Sequence, residues 1–372
     1  MIFSELHTLW YLLLILAYFL LLFGYLHFGD KEDTKNNILG FGALFFVFIH
    51  ILIFLALMFQ DTTLREEITL LWELVLGIPL VIIGLITIFS TIAVLLFKVV
   101  FGPKDFSDLE GKSQKKMSEM NKTRRDSYRK LSHVLIFVGL FIVWYIGVDV
   151  VKSSGKRWAG MIPDENNMLK LYFNILSERD VIREILFSLG WFYYLIFFFF
   201  YSFCLLLLIN EITRKTKYWQ FPFNLLPKLV MTDEEIKSYG TYLYFAVGQM
   251  FAAFICPPMV YFAILGMSGI GDLMTSQVGI RFGNKHIVWN KKKTWEGTIA
   301  GTITSFLICY MFVGLLWSII FSICFMCIDL FTNKPLNVSD NLLIPIGCAI
   351  LFVFLRYYLD LNYISLVLNF VN

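Results

Sequence analysis

Three short clusters in the chain carry residue types that can do chemistry together. The first is Arg129-Lys130-Leu131-Ser132-His133. On a helix His133 lies three residues from Lys130 and four from Arg129, so all three share roughly one face. Two cations and an imidazole suit a phosphate-rich ligand; the same cations could also serve as a snorkelling membrane-surface anchor. The second cluster runs from Gly269 to Gly283 and contains Asp272, Gly279, Arg281 and Gly283. Asp272 and Gly279 are seven apart, hence on one helical face. Absent side chains there admit a ligand or another backbone, and small residues spaced by four also pack helices in bilayers. A carboxylate beside them could hold Mg²⁺ through one or two oxygens. The third cluster follows at once, from Asn284 to Gly297, with Lys285, Lys292, Lys293, Thr294 and Glu296. It joins phosphate-binding charge to a carboxylate and a possible stacking surface. It is not a P-loop, because the Gly-x-x-x-x-Gly-Lys-Ser/Thr spacing is absent.

The elements that must position these residues are membrane spans. Of the 372 residues, 58% are apolar and 18% aromatic, and only 16% are charged. Ordinary soluble domains are roughly 45–50% apolar and about 25% charged. Water is therefore not the main solvent of this chain, and its aromatic content excludes disorder. Apolar runs fall near 8–28, 38–59, 77–101, 132–150, 184–209, 239–255, 258–280, 298–312, 315–330 and 341–357. A spanning helix needs about 20 apolar residues, and the runs are apolar throughout rather than alternating, which favours helices over a barrel. The expected fold is an all-α polytopic bundle of about ten transmembrane helices. Pro257-Pro258 reads as a turn between two spans, and a break near Gly314 divides a run too long for one crossing. The six cysteines all lie in apolar stretches and read as buried thiols.

The net charge of +3 is too balanced to argue for nucleic acid. Its distribution says more. The break 102–131 carries nine Lys/Arg, which places it in the cytoplasm by the positive-inside rule. Tracing the spans onward puts 210–238, 281–297 and 332–340 on the same side, and Arg129, Asp272, Lys293 and Asp340 at the cytoplasmic ends of their spans. Ionisable groups at such positions are functional candidates by default. Glu211 and Arg214 form a possible i,i+3 pair, and Asp340 a possible helix N-cap.

Taken in order, these segments resemble the dolichol kinases, membrane enzymes that phosphorylate a polyisoprenoid alcohol with CTP. The resemblance rests on Arg129-Lys130-x-x-His133, Glu211-x-x-Arg214, Leu226-Pro227 through Asp233, and Thr241-x-x-Tyr244 with Gly248. It continues through Gly271-Asp272-x-x-x-Ser276-x-x-Gly279, Lys292-Lys293-Thr294-x-Glu296-Gly297-Thr298 and Asp340-Asn341-Leu342-Leu343-x-Pro345. It covers about residues 125–357. Residues 1–101 offer only generic spans, 102–131 form a basic loop, and 132–372 would be the kinase domain. Phytol kinases and CTP-dependent diacylglycerol kinases look similar around Arg129-Lys130 and Gly271-Asp272. CDP-diacylglycerol synthases resemble the lysine segment, including Trp295 where dolichol kinases would carry Phe.

The resemblance implies a CTP-binding region made of Gly279, Arg281, Gly283, Lys285, Lys292, Lys293, Thr294, Glu296 and Gly297. It also implies a catalytic set of Arg129, Lys130, His133, Asp272 and Asp340, with Asp272 at Mg²⁺ or another divalent cation. His133, Asp272 or Asp340 could orient the acceptor hydroxyl. An endoplasmic reticulum membrane location with the site facing the cytoplasm is implied in the same way. The acceptor, dissolved in the lipid bilayer, would reach the site laterally. A transporter is the competing class, but its charges usually sit at mid-membrane on broken helices.

Overall fold

The computed structural model describes residues 2–60, 68–101, 122–153, 167–177, 191–215, 238–332 and 334–371. The basic stretch 102–121 and the segment Leu226–Asp233 lie outside the described residues. Among those described there is no strand; the sole extended pairing is a single bridge between His286 and Thr294. The fold is an all-α polytopic helical bundle, with eight helices among the described residues long and apolar enough to cross a membrane.

The ten expected runs map onto these eight helices with two local differences, both set by chain chemistry. Thr241–Ile255 is apolar but only 15 residues long. It stops at Pro257, whose extended backbone (φ −65°, ψ 157°) starts the next helix at Pro258. The other difference is Trp295–Phe331, a 37-residue stretch whose helical geometry fails at one residue, Gly314 (φ 78°, ψ −179°). That backbone is open only to glycine, and a Cβ there would also sit 2.7 Å from the Ile364 carbonyl oxygen. Thr298 donates to Asp329, and these two are almost equidistant from Gly314 in sequence. The stretch therefore doubles back as two antiparallel helices, as the sequence leads one to expect.

Contacts divide the chain into two compact units. One unit comprises residues 1–119 and 201–247, the other 120–200 and 248–372. In the first, the Tyr18 hydroxyl bonds Tyr201, which donates 3.0 Å to the Leu76 carbonyl. The expected Glu211–Arg214 pair is present and bidentate, at 3.0 and 2.7 Å. Glu211 also accepts from the Gly240 backbone at 2.9 Å and from the Tyr242 hydroxyl, while Arg214 donates to the Ser238 carbonyl at 3.0 Å. Both side chains are essentially buried. Every oxygen of the carboxylate is thus satisfied by the chain itself, and the pair ties Glu211–Arg214 to Ser238–Tyr242. Replacing Glu211 by Ala strands a buried guanidinium. The expected cost is about 3–5 kcal/mol, read as a lowered thermal midpoint of the detergent-solubilised protein, with Arg214→Ala in addition recovering part of it.

The second unit is built on aromatic packing. Phe137 and Phe141, spaced along Lys122–Ser153, meet Phe262 and Phe312, and Trp144 meets Phe262, at centroid distances of 5.9–6.3 Å. Such pairs prefer these edge-on and offset geometries. Above this core the helix from Pro258 loosens into a π-helical turn, Met267–Gly271, before Asp272–Phe282 resumes α geometry. Asp272–Phe282 then lies against the first half of Trp295–Phe331. The contact is made by glycines: a Cβ on Gly297 would meet the Thr275 carbonyl at 2.5 Å and the Gly279 Cα at 3.0 Å. Four cysteines are buried as expected and Cys324 is half-buried, but Cys327 is exposed; its helical position turns it out of the bundle.

Candidate active site

Asp272 leads the helix that follows the π turn, and that turn sets its direction. π-turns are costly insertions that concentrate at functional positions. Gly269 lets the turn approach the neighbouring helix, where a Cβ would meet the backbone at His133 at 3.4 Å. One turn earlier on that helix, Lys130 Nζ lies 2.8 Å from Asp272 Oδ2 and donates to the Asp272 carbonyl at 2.9 Å. Asp272 is 4% exposed, and its other oxygen, Oδ1, is buried with no hydrogen-bond partner among the described residues. A buried carboxylate oxygen left unpaired carries a desolvation cost. A ligand that coordinates it removes that cost. Arg129 lies on the same helix, with its side chain outside the described part of the structure.

A second charge group stands close enough to act on the first. Lys293 Nζ lies 2.6 Å from Asp329 Oδ1 and 3.2 Å from Asp340 Oδ2. The remaining oxygen of Asp329 takes the Thr298 hydroxyl, and that of Asp340 the Asn341 backbone N–H at 3.0 Å. Burial opposes the Lys293 ammonium, but Asp340, Asp329 and Asp272 outweigh it and raise its pKa above the usual lysine range. Asp340 and Lys293 in turn contribute to the field at Asp272. Lys130, Asp272, Lys293 and Asp340 thus act on one another, and Asp272 sits inside its span rather than at its end. Asp340 is the first residue of its helix; Ser339, not Asp340, is the N-cap.

Asp329 is the member of the group that sequence reasoning passed over. Its neighbours Cys327, Ile328, Leu330 and Phe331 make the segment read as bilayer core. Yet it is 1% exposed and ion-paired. The signal was the charge itself, since an acid inside an apolar run is rarely there without a partner.

The expected nucleotide-binding residues separate into two sets. The loop 283–294 is a tight hairpin: Ile287 N–H donates to the Lys293 carbonyl at 3.1 Å and Trp295 N–H to the Lys285 carbonyl at 2.9 Å. Buried Ile287 anchors it, and Asn290 Nδ2 reaches the Thr332 carbonyl at 2.6 Å. This pairing turns Lys293 inward and leaves Arg281, Lys285 and Lys292 exposed. Thr294 caps the following helix by accepting from Gly297 N–H at 3.3 Å, and Glu296 accepts from Lys285 N–H at 3.2 Å. Gly279, Gly283 and Gly297 are occupied on their bare sides by Thr294 and by each other's backbone. Their missing side chains are accounted for by helix packing.

The donor set fits a divalent cation only in part. No group of three or more His, Cys, Asp or Glu among the described residues could hold an ion alone. Mg²⁺, however, commonly takes one or two carboxylates and completes its shell with water and substrate phosphates. Asp272 Oδ1 offers that kind of ligand. Comparison with protein-family models, curated proteins and solved structures returns no match.

Proposed function

We propose that the protein is a CTP-dependent lipid kinase of the dolichol kinase type, transferring the γ-phosphoryl group of CTP to a polyisoprenoid alcohol. The observation that carries the reading is the Lys130–Asp272 pair set beside Lys293, Asp329 and Asp340, with Asp272 Oδ1 buried and without a partner among the described residues. Phosphoryl transfer asks a protein mainly for positioning and charge stabilisation, and this group supplies both signs of charge. Lys130 and Lys293 bind the phosphate oxygens. Asp329, with both oxygens engaged by Lys293 and Thr298, orients Lys293. The acceptor oxygen bonds the γ-phosphorus, the bond from that phosphorus to the β,γ-bridging oxygen breaks, CDP leaves, and the hydroxyl proton passes to Asp272 or Asp340. A divalent cation held at Asp272 would supply charge neutralisation across the phosphate oxygens. Exposed Arg281, Lys285 and Lys292 would add positive charge for an incoming nucleotide. The acceptor enters from the bilayer, and we place the site on the cytoplasmic face of the endoplasmic reticulum, where CTP is available.

The test is an assay of purified protein in detergent with labelled CTP across dolichol, phytol, diacylglycerol and phosphatidate. The expected result is label from the γ-position on dolichol with CDP released. Phosphorylated phytol or diacylglycerol instead would move the acceptor class. Pyrophosphate release with a CDP-lipid product would replace the kinase with a cytidylyltransferase, the reading that Trp295 favours.

A further inference from the structure

The 283–294 hairpin leaves a surface that the kinase reading does not use. It joins one membrane-crossing helix that ends at Phe282 to another that begins at Trp295, so it must lie where bilayer meets water. Hydrogen bonds between its arms and through Asn290 hold it rigid. A loop in that position needs only polar residues, yet this one presents Val288 at 84% exposure. Trp289 beside it is exposed while its indole N–H is committed to the Leu330 carbonyl at 3.1 Å. Trp289 stacks on Phe331 at 5.9 Å and meets Trp295 edge-on at 6.5 Å, so the exposed aromatic surface is continuous. Lys291, also exposed, stands two residues from Trp289.

Aromatic rings flanked by cations are the composition of a segment seated among headgroups. A phosphate is the shared chemistry of an anionic lipid and a nucleotide. The apolar tip decides between them, because a nucleotide in water gains nothing from an exposed valine. We infer that the hairpin is an interfacial clamp: Val288 and Trp289 seat at the boundary of headgroups and acyl chains, and Lys291 binds the phosphate of an anionic phospholipid. The clamp would fix the depth of the loop whose inward face carries Lys293.

The full-length protein with Cys327→Ser and Val288→Cys, carrying a nitroxide at the new cysteine and compared with an identically treated Cys327→Ser parent, is placed in nanodiscs. The discs hold phosphatidylcholine alone or in equal parts with phosphatidylglycerol. The clamp predicts that the nitroxide is relaxed more by oxygen than by a water-soluble nickel chelate. It also predicts that Lys291→Gln lowers phosphatidylglycerol enrichment around the purified protein about fivefold, the effect of one cation at an anionic surface. Labelling Trp289→Cys in place of Val288→Cys gives a second position at the same depth should the first variant fail to fold. Stronger relaxation by the nickel chelate at either position would overturn the clamp. So would an unchanged lipid enrichment in Lys291→Gln, or protection of the nitroxide by CTP without lipid dependence, which would return the surface to the nucleotide.

Discussion

Replacing Asp272 by Asn is expected to lower the proposed transfer of γ-phosphate from CTP to dolichol about a thousandfold, the scale of losing one preorganised charge in a water-poor site. The substitution keeps the volume and removes the charge that pairs with Lys130 at 2.8 Å. It also removes the negative charge shared by Oδ1, which has no hydrogen-bond partner among the described residues. A fall in activity alone would not separate chemistry from stability, since an unpaired buried lysine is itself destabilising by about 3–5 kcal/mol. The double variant Lys130→Met/Asp272→Asn separates them. It removes both charges and restores the thermal midpoint toward that of the parent, because paired charges in a buried setting exchange for apolar side chains at little net cost. A pair that served only to hold two helices would regain activity with stability. The expected outcome is regained stability with activity still absent, and recovery of more than a small fraction of the rate would remove Asp272 from the reaction.

How far the site was legible in the sequence depended on which property of a residue decides its place. Pro257-Pro258 and Gly314 act through their own backbones, so the turn and the break were readable before any contact was known. Lys130 and Asp272 were readable because each is a charge in apolar surroundings, which must find a partner. Asp329 follows the same rule, but without the fold-back at Gly314 nothing brings it to Thr298 and Lys293. The glycines were ambiguous for a physical reason: a missing side chain admits a ligand and a helix equally well. Which of the two enters is settled by tertiary packing, here Gly279 against Gly297. Lys291, Lys292 and Lys293 are alike as a string. Only the hairpin pairing of Ile287 with Lys293 turns one inward and leaves the other two exposed.

Asp329→Asn tests whether the buried carboxylate orients Lys293 for the reaction or only packs the helix pair. Asp329 touches no ligand in the proposed mechanism; it acts through Lys293 at 2.6 Å, with Thr298 holding its second oxygen. Losing its charge leaves Lys293 with Asp340 as its remaining direct partner, at 3.2 Å. The ammonium then turns toward Asp340 and away from the phosphate. We expect kcat/KM for CTP to fall about a hundredfold, shared between a higher KM and a lower kcat, because phosphate contact is made in both ground and transition states. Asp329→Glu, which keeps the charge, recovers part of this. Thr298→Val, which removes one hydrogen bond to the carboxylate, costs about tenfold. The pH profile supplies the readout that packing cannot imitate. In the parent, Lys293 is held above the usual lysine range, so its charge and the stability it brings are fully present below that range and are lost only as pH rises through the raised value. Removing one of the carboxylates that raise it moves the alkaline limb of activity to lower pH. An Asp329→Asn enzyme with reduced rate but an unshifted alkaline limb would mean that Asp329 holds the helices together and leaves Lys293 where it was.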